Sequence, residues 1–208
     1  MRRLFWIAVV IAVALVAASA VAAAASPTST STSMTTAAVK SAGISLKYPS
    51  TWTAVKMTKR GIASLRKLVV QKNPKLAAVL SNVDVSKFKF YALDVADGAS
   101  THATVNVLLS GDAQGLSLAD FRDQVGQAYK AAGGTALEVK TAKVSGRSAF
   151  RTDVDLPFKN ADGTTTDESL GQLFIPRAGS STVVSVSATH DATGEALINT
   201  VLASVHLK

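Results

Sequence analysis

Few residues in this 208-residue chain have the types and spacing that chemistry requires. There is no cysteine, which removes thiolate nucleophiles, zinc–thiolate sites and disulfides together. The three histidines, His102, His190 and His206, are scattered and match no zinc-ligand spacing. Only His190 has a carboxylate beside it, on Asp191. Neighbouring side chains at a strand end point apart, and Asp191 is placed to cap the helix that follows. His190 also runs in phase with Val184, Val186 and Ala188, as a packed rim residue would. Serine hydrolysis would call for a Gly-x-Ser-x-Gly elbow, and the chain has none.

The carboxylates are no better arranged. Asp153 and Asp155 share a strand face with Arg151, which reads as a solvated or salt-bridged face rather than a general acid–base pair. Asn160, Asp162, Asp167 and Glu168 surround Gly163 with the composition of a calcium loop. Phe158 and Ser169, however, hold the first and last ligand positions, so a polar hairpin tip is the better reading. No enzyme activity, metal or cofactor is expected.

Charge is the asymmetric feature. Residues 40–89 hold eleven basic side chains against one acid, Asp84, whereas residues 90–208 hold nine against thirteen. Lys56, Lys59, Arg60, Arg66, Lys67, Lys72 and Lys75 are the candidate partner-binding residues of the basic third. A face of this sign attracts an anionic envelope polymer, an acidic lipid or an acidic protein partner. Nucleic acid is disfavoured, because only Phe88 and Phe90, at the edge of the run, offer rings on which bases stack. The alternative is a solvated helix face that aids solubility.

The N-terminus gives the address. Arg2 and Arg3 precede an uncharged apolar run over residues 4–25 that ends in Ala23-Ala24-Ala25, the form of a secretory signal. The strongly apolar part stops near Val16, so residues 1–25 read as a cleaved signal peptide rather than a signal anchor. Residues 26–38 read as a Ser/Thr-rich disordered linker. Residues 39–208 remain as one secreted or envelope-associated domain, held by hydrophobic burial alone and joined to a membrane only through an uncleaved N-terminus.

Within that domain the periods alternate. Ile44, Leu46 and Tyr48 mark a half-buried strand that Pro49 stops. Ile62, Leu65 and Val69 recur at helical spacing, and Asn73-Pro74 opens a second helix through Leu76, Leu80 and Val83. Strands follow at 88–95 and 103–109. Ser117, with Asp120 three residues on, caps a helix carrying Leu118, Phe121, Val125, Tyr129 and Ala132, which Gly133-Gly134 ends. Strands at 136–144, 149–158, 169–175 and 182–190 come in series, with Asp162-Gly163 as a hairpin turn. Asp191 caps a last helix with Leu197, Ile198, Val201 and Leu202. Strands in hairpin series with helices in separate blocks give an α+β domain with an antiparallel sheet.

The run Gly43-Ile44-Ser45-Leu46-Lys47-Tyr48-Pro49-Ser50-Thr51-Trp52 resembles the opening of PsbP-like domains. The closing strand Val183-Val184-Ser185-Val186-Ser187-Ala188, the capped helix and Leu202-Ala203-Ser204-Val205 are similar to the end of that superfamily, including its LpqN-type actinobacterial envelope lipoproteins. The resemblance implies an α/β/α sandwich, one antiparallel sheet flanked by helices, and a binding or assembly module rather than a catalyst. It carries over no functional residue, since the matching positions build the fold. The chain departs from the LpqN-type pattern in lacking the lipid-modified cysteine. An exported non-enzymatic module docking an anionic component through its basic third is therefore expected. The alternative is a carrier of a lipid or other apolar small molecule between sheet and helices.

Overall fold

In the computed structural model, residues 33–72, 87–95, 103–111, 113–159 and 165–208 are described. The helix expected after Pro74 and the turn expected at Asp162-Gly163 lie outside them, as do the signal segment and the first part of the linker.

Seven antiparallel strands form the main sheet, in the order β3 (Thr53–Val55), β4 (Phe88–Leu93), β5 (Thr104–Ser110), β9 (Ser180–Thr189), β8 (Thr165–Arg177), β7 (Arg147–Lys159) and β6 (Thr135–Val144). The strongly β-branched sequence of β9 pairs β5 on one side and β8 on the other, and so lies at the centre. Side chains alternate between the two sheet faces, which divides the protein into two cores.

One face packs against α1 (Lys59–Lys72) and α2 (Leu118–Ala131), with Leu65, Val69, Phe121, Val125 and Tyr129 fully or nearly fully buried. Phe121 anchors α2 by stacking on Phe150 at 4.3 Å and meeting Phe174 edge-on at 5.0 Å. The Ser117 hydroxyl accepts the Asp120 N–H and donates to the Asp120 carboxylate, so the expected cap is present. The opposite face packs against α3 (Ala192–Ala203) through Ile198, Val201 and Leu202. Helices therefore cover both sheet faces, and the α+β class stands.

Two expectations are corrected. The linker does not run to residue 38, because β1 (Met34–Val39) pairs antiparallel with β2 (Ile44–Pro49) along its whole length. That segment reads Met-Thr-Thr-Ala-Ala-Val, a composition that reads as spacer until a partner strand is present. The main sheet is also not alone: β1, β2 and the short β10 (His206–Leu207) form a second, three-stranded sheet. Ile44 and Leu46 of this sheet are fully buried in the α3-side core, where Tyr48 and Trp52 are buried as well.

Candidate binding surfaces

α1 is amphipathic in the ordinary way: Ile62, Leu65 and Val69 turn toward the sheet, leaving the charged positions outside. Lys59, Arg60, Arg66 and Lys67 are exposed on it, and Lys56 is exposed on the turn before it. Among the described residues no acid pairs with any of these five. Lys72 is exposed at the helix end but has an interaction of its own, and Lys75 lies outside the described residues. The structure therefore brings six of the seven expected basic residues together on one element and its approach, five of them without an acid partner among the described residues.

The helix start is unusual. The Thr58 hydroxyl accepts the Gly61 N–H at 3.1 Å, as an N-cap does. The first turn then carries Lys59 and Arg60 and no acid, so two cations sit at the positive end of the helix dipole. Gly61 is required there, since a Cβ would lie 2.1 Å from the Lys56 carbonyl oxygen. That close approach folds the first turn of α1 onto the residue that follows β3, and between α1 and β3 lies a cleft of about 490 Å³, lined in part by Val55, Leu65, Leu68 and Arg60.

A second cleft, about 320 Å³, lies between α3 and strands β6 to β8. Its charges are matched internally. Arg151 grips Asp153 with two nitrogens, at 2.7–3.0 Å, and reaches Asn199 of α3 at 2.5 Å. Lys140 bridges Glu138 at 2.9 Å and Asp153 at 3.2 Å, and these partners hold its ammonium above the usual lysine range, the Glu138 hydrogen bond foremost. The expected salt-bridged face of Arg151 and Asp153 is thus present, extended by residues that no local spacing could name.

His190 pairs with Asp155 across the sheet, not with Asp191. Its Nδ1 lies 3.0 Å from Asp155 Oδ1 and 3.0 Å from Ser169 Oγ, and the serine hydroxyl also donates to Asp155 Oδ1 at 2.9 Å. Serine, histidine and aspartate have met, but both partners converge on one ring nitrogen. A proton relay needs the carboxylate on one nitrogen and the hydroxyl on the other. This triangle ties β7, β8 and the end of β9 together and offers no base to the serine. Asp191 caps α3 instead, accepting the Gly194 N–H at 2.8 Å, and that bond holds its carboxyl below the usual aspartate range. Asp167 and Glu168, expected at the polar tip, are neighbours in β8 and so turn to opposite faces. Among the described residues no group of three His, Asp or Glu side chains is placed to hold a metal.

No family model and no curated protein matches this sequence. Solved structures do. PsbP (CyanoP) of Synechocystis sp. PCC 6803 is similar over 89% of this chain and 98% of its own, at 13% identity and a TM-score of 0.52. LpqN of Mycobacterium tuberculosis, described as involved in cell envelope biogenesis, covers 87% of each chain at 14% identity and a TM-score of 0.45. The Ran-binding protein Mog1p of Saccharomyces cerevisiae covers 85% of this chain and 96% of its own, at 12% identity and a TM-score of 0.47.

The chain has the PsbP fold. Tyr48 and Trp52, which carried the resemblance in sequence, sit in the interior of that PsbP fold, with Tyr48 tilted against Phe90 at 5.4 Å. Under α1 and α2, the PsbP-fold sheet carries a row of buried polar side chains that no local sequence pattern marks. Tyr129 of α2 donates to Gln172 and meets Thr152 at 3.2 Å, while Gln172 donates to Ser185 at 2.6 Å. Asn106 and Tyr91 continue the row through the cross-strand register, and the Asn106 side-chain amide oxygen and the Tyr91 hydroxyl have no partner among the described residues.

Proposed function

We propose that this protein is an exported, non-enzymatic binding module that docks an anionic partner through the outer face of α1. The observation that carries the reading is the set Lys56, Lys59, Arg60, Arg66 and Lys67, exposed together and unmatched by any acid among the described residues. Unmatched surface charge of one sign attracts the opposite sign over roughly a Debye length, about 10 Å at 0.1 M salt. The collapse of the Ser169–His190–Asp155 triangle onto one nitrogen supports a module that binds rather than reacts. The signal-like residues 1–25 support a partner met outside the cytoplasm. Among the described residues no helix is long and apolar enough to cross a membrane.

An apolar ligand lying between sheet and helices is the weaker reading. The sheet face under α1 and α2 presents Gln172, Ser185, Asn106 and Thr152 where such a ligand would lie, and buried amides and hydroxyls left against hydrocarbon are penalised.

The test is charge reversal. Replacing Lys59, Arg60, Arg66 and Lys67 by Glu should abolish retention of the exported protein by the envelope. Retention of the parent should fall as salt rises. Undiminished retention of the reversed protein would sink the reading.

A further inference from the structure

The two edges of the seven-stranded sheet are guarded unequally. Edge strand β6 carries Glu138, Lys140 and Lys143, has a register irregularity between Thr135 and Glu138, and turns Ala136 into the left-handed region at φ 51°. Charges and bulges of this kind keep a foreign strand from pairing. Edge strand β3 has none of them. It reads Thr53-Ala54-Val55, without charge or proline, and among the described residues it pairs only with β4.

The cleft beside α1 runs along this unguarded edge. Thr53, Ala54 and Val55 all line it. Successive strand residues point to opposite faces, so three consecutive lining residues mean that the β3 backbone itself forms a wall. Leu65 and Leu68 supply an apolar wall opposite, and Lys56 and Arg60 supply charge. A hydrogen-bonding edge, an apolar strip and cations are what an extended chain with alternating acidic and apolar side chains would meet. A bare polyanion would use only the cations.

We infer that the occupant of this cleft is an extended acidic segment of a protein partner, added as a strand to β3. Its backbone pairs with the β3 edge, its apolar side chains lie on Leu65 and Leu68, and its carboxylates face Lys56 and Arg60. Strand addition draws affinity from main-chain bonds and selectivity from alternate side chains. The inference rests on the proposed docking role of α1 and narrows it to one partner class. With three residues of edge, the contact is small and the binding transient.

The probe is a fluorescent peptide of alternating Glu and Val, about eight residues long to match a strand. It is titrated onto the exported chain in parallel with its backbone N-methylated forms, methylated on either edge, and with phosphatidylglycerol vesicles. The expected result is saturable peptide binding that Arg60→Glu and one N-methylated form each weaken by about tenfold or more, about 1.4 kcal/mol. Equal binding of all N-methylated forms would overturn strand addition and leave charge-driven docking standing. Vesicle binding without peptide binding would do the same in favour of a lipid surface. Binding of neither would remove this inference and the docking role together.

Discussion

The two clefts flank the same sheet and differ in how their charges are resolved. Beside α3, Glu138, Lys140, Asp153, Arg151 and Asn199 form one connected set in which each cation finds an anion. Beside α1, five cations find no acid among the described residues. Matched charge costs little to keep and holds elements in register, but it has nothing left for a partner. Unmatched surface charge adds nothing to the fold and is free to attract. The cleft with the more elaborate network is thus the more structural one.

The sharpest extension of this comparison lies inside the protein. Glu168 sits on the α1/α2 side of β8 with no counterion or hydrogen bond among the described residues, and burial pushes its carboxyl up to about 8. Where unmatched charge on α1 is tolerated, unmatched charge here must be destabilising. Below the ordinary carboxylate range, Glu168 is neutral in both folded and unfolded chains and imposes no penalty. As pH rises from about 4.5 toward 8, the unfolded chain releases a proton that the folded chain keeps, so stability falls through that window and then levels. The loss is on the order of a few kcal/mol. Glu168→Gln should raise the Tm at pH 8 by about 5–10 °C and give no gain near pH 4. A gain of equal size at both pH values would show that the carboxylate is not what burial penalises.

A smaller effect sharpens the other side. α3 lies close to the sheet because position 171 is glycine: a Cβ there would meet Ile198 at 2.3 Å and Leu202 at 3.0 Å. Gly171→Ala should push α3 outward, lengthen the Arg151–Asn199 contact and cost about 1–3 kcal/mol, read as a fall in Tm of about 2–10 °C. An unchanged Tm with α3 in place would mean that the network does not depend on this close seat.

These differences were unevenly legible in sequence. Ser117 and Asp191 were readable as caps because a cap is a local event, settled within three or four residues. The stripes of α1 and α2, and the alternation of β2, were readable because burial imposes its period on every turn or pleat. The basic face of α1 was readable because like charges clustered in sequence stay clustered on one helix. By contrast, β1 has the composition of a linker and β3 and β10 carry no pattern of their own, since short or Thr/Ala-rich strands take their identity from partners. The Asp155–His190 pair spans β7 to the end of β9, and cross-strand register decides it.

The smallest expected effect decides most about α1, because it moves stability and retention in opposite directions. Lys59 and Arg60 occupy the first turn, where the unpaired N–H groups carry partial positive charge and favour anions. If these residues were present only to solvate the fold, acids would serve better at both positions. Lys59→Glu with Arg60→Glu should therefore stabilise the protein by about 0.3–1 kcal/mol, a rise of about 1–4 °C in Tm, while weakening envelope retention. Stability and retention moving in opposite directions would separate a docking surface from a solvated one. Stability gained with retention intact would leave the cations of α1 without a role in binding.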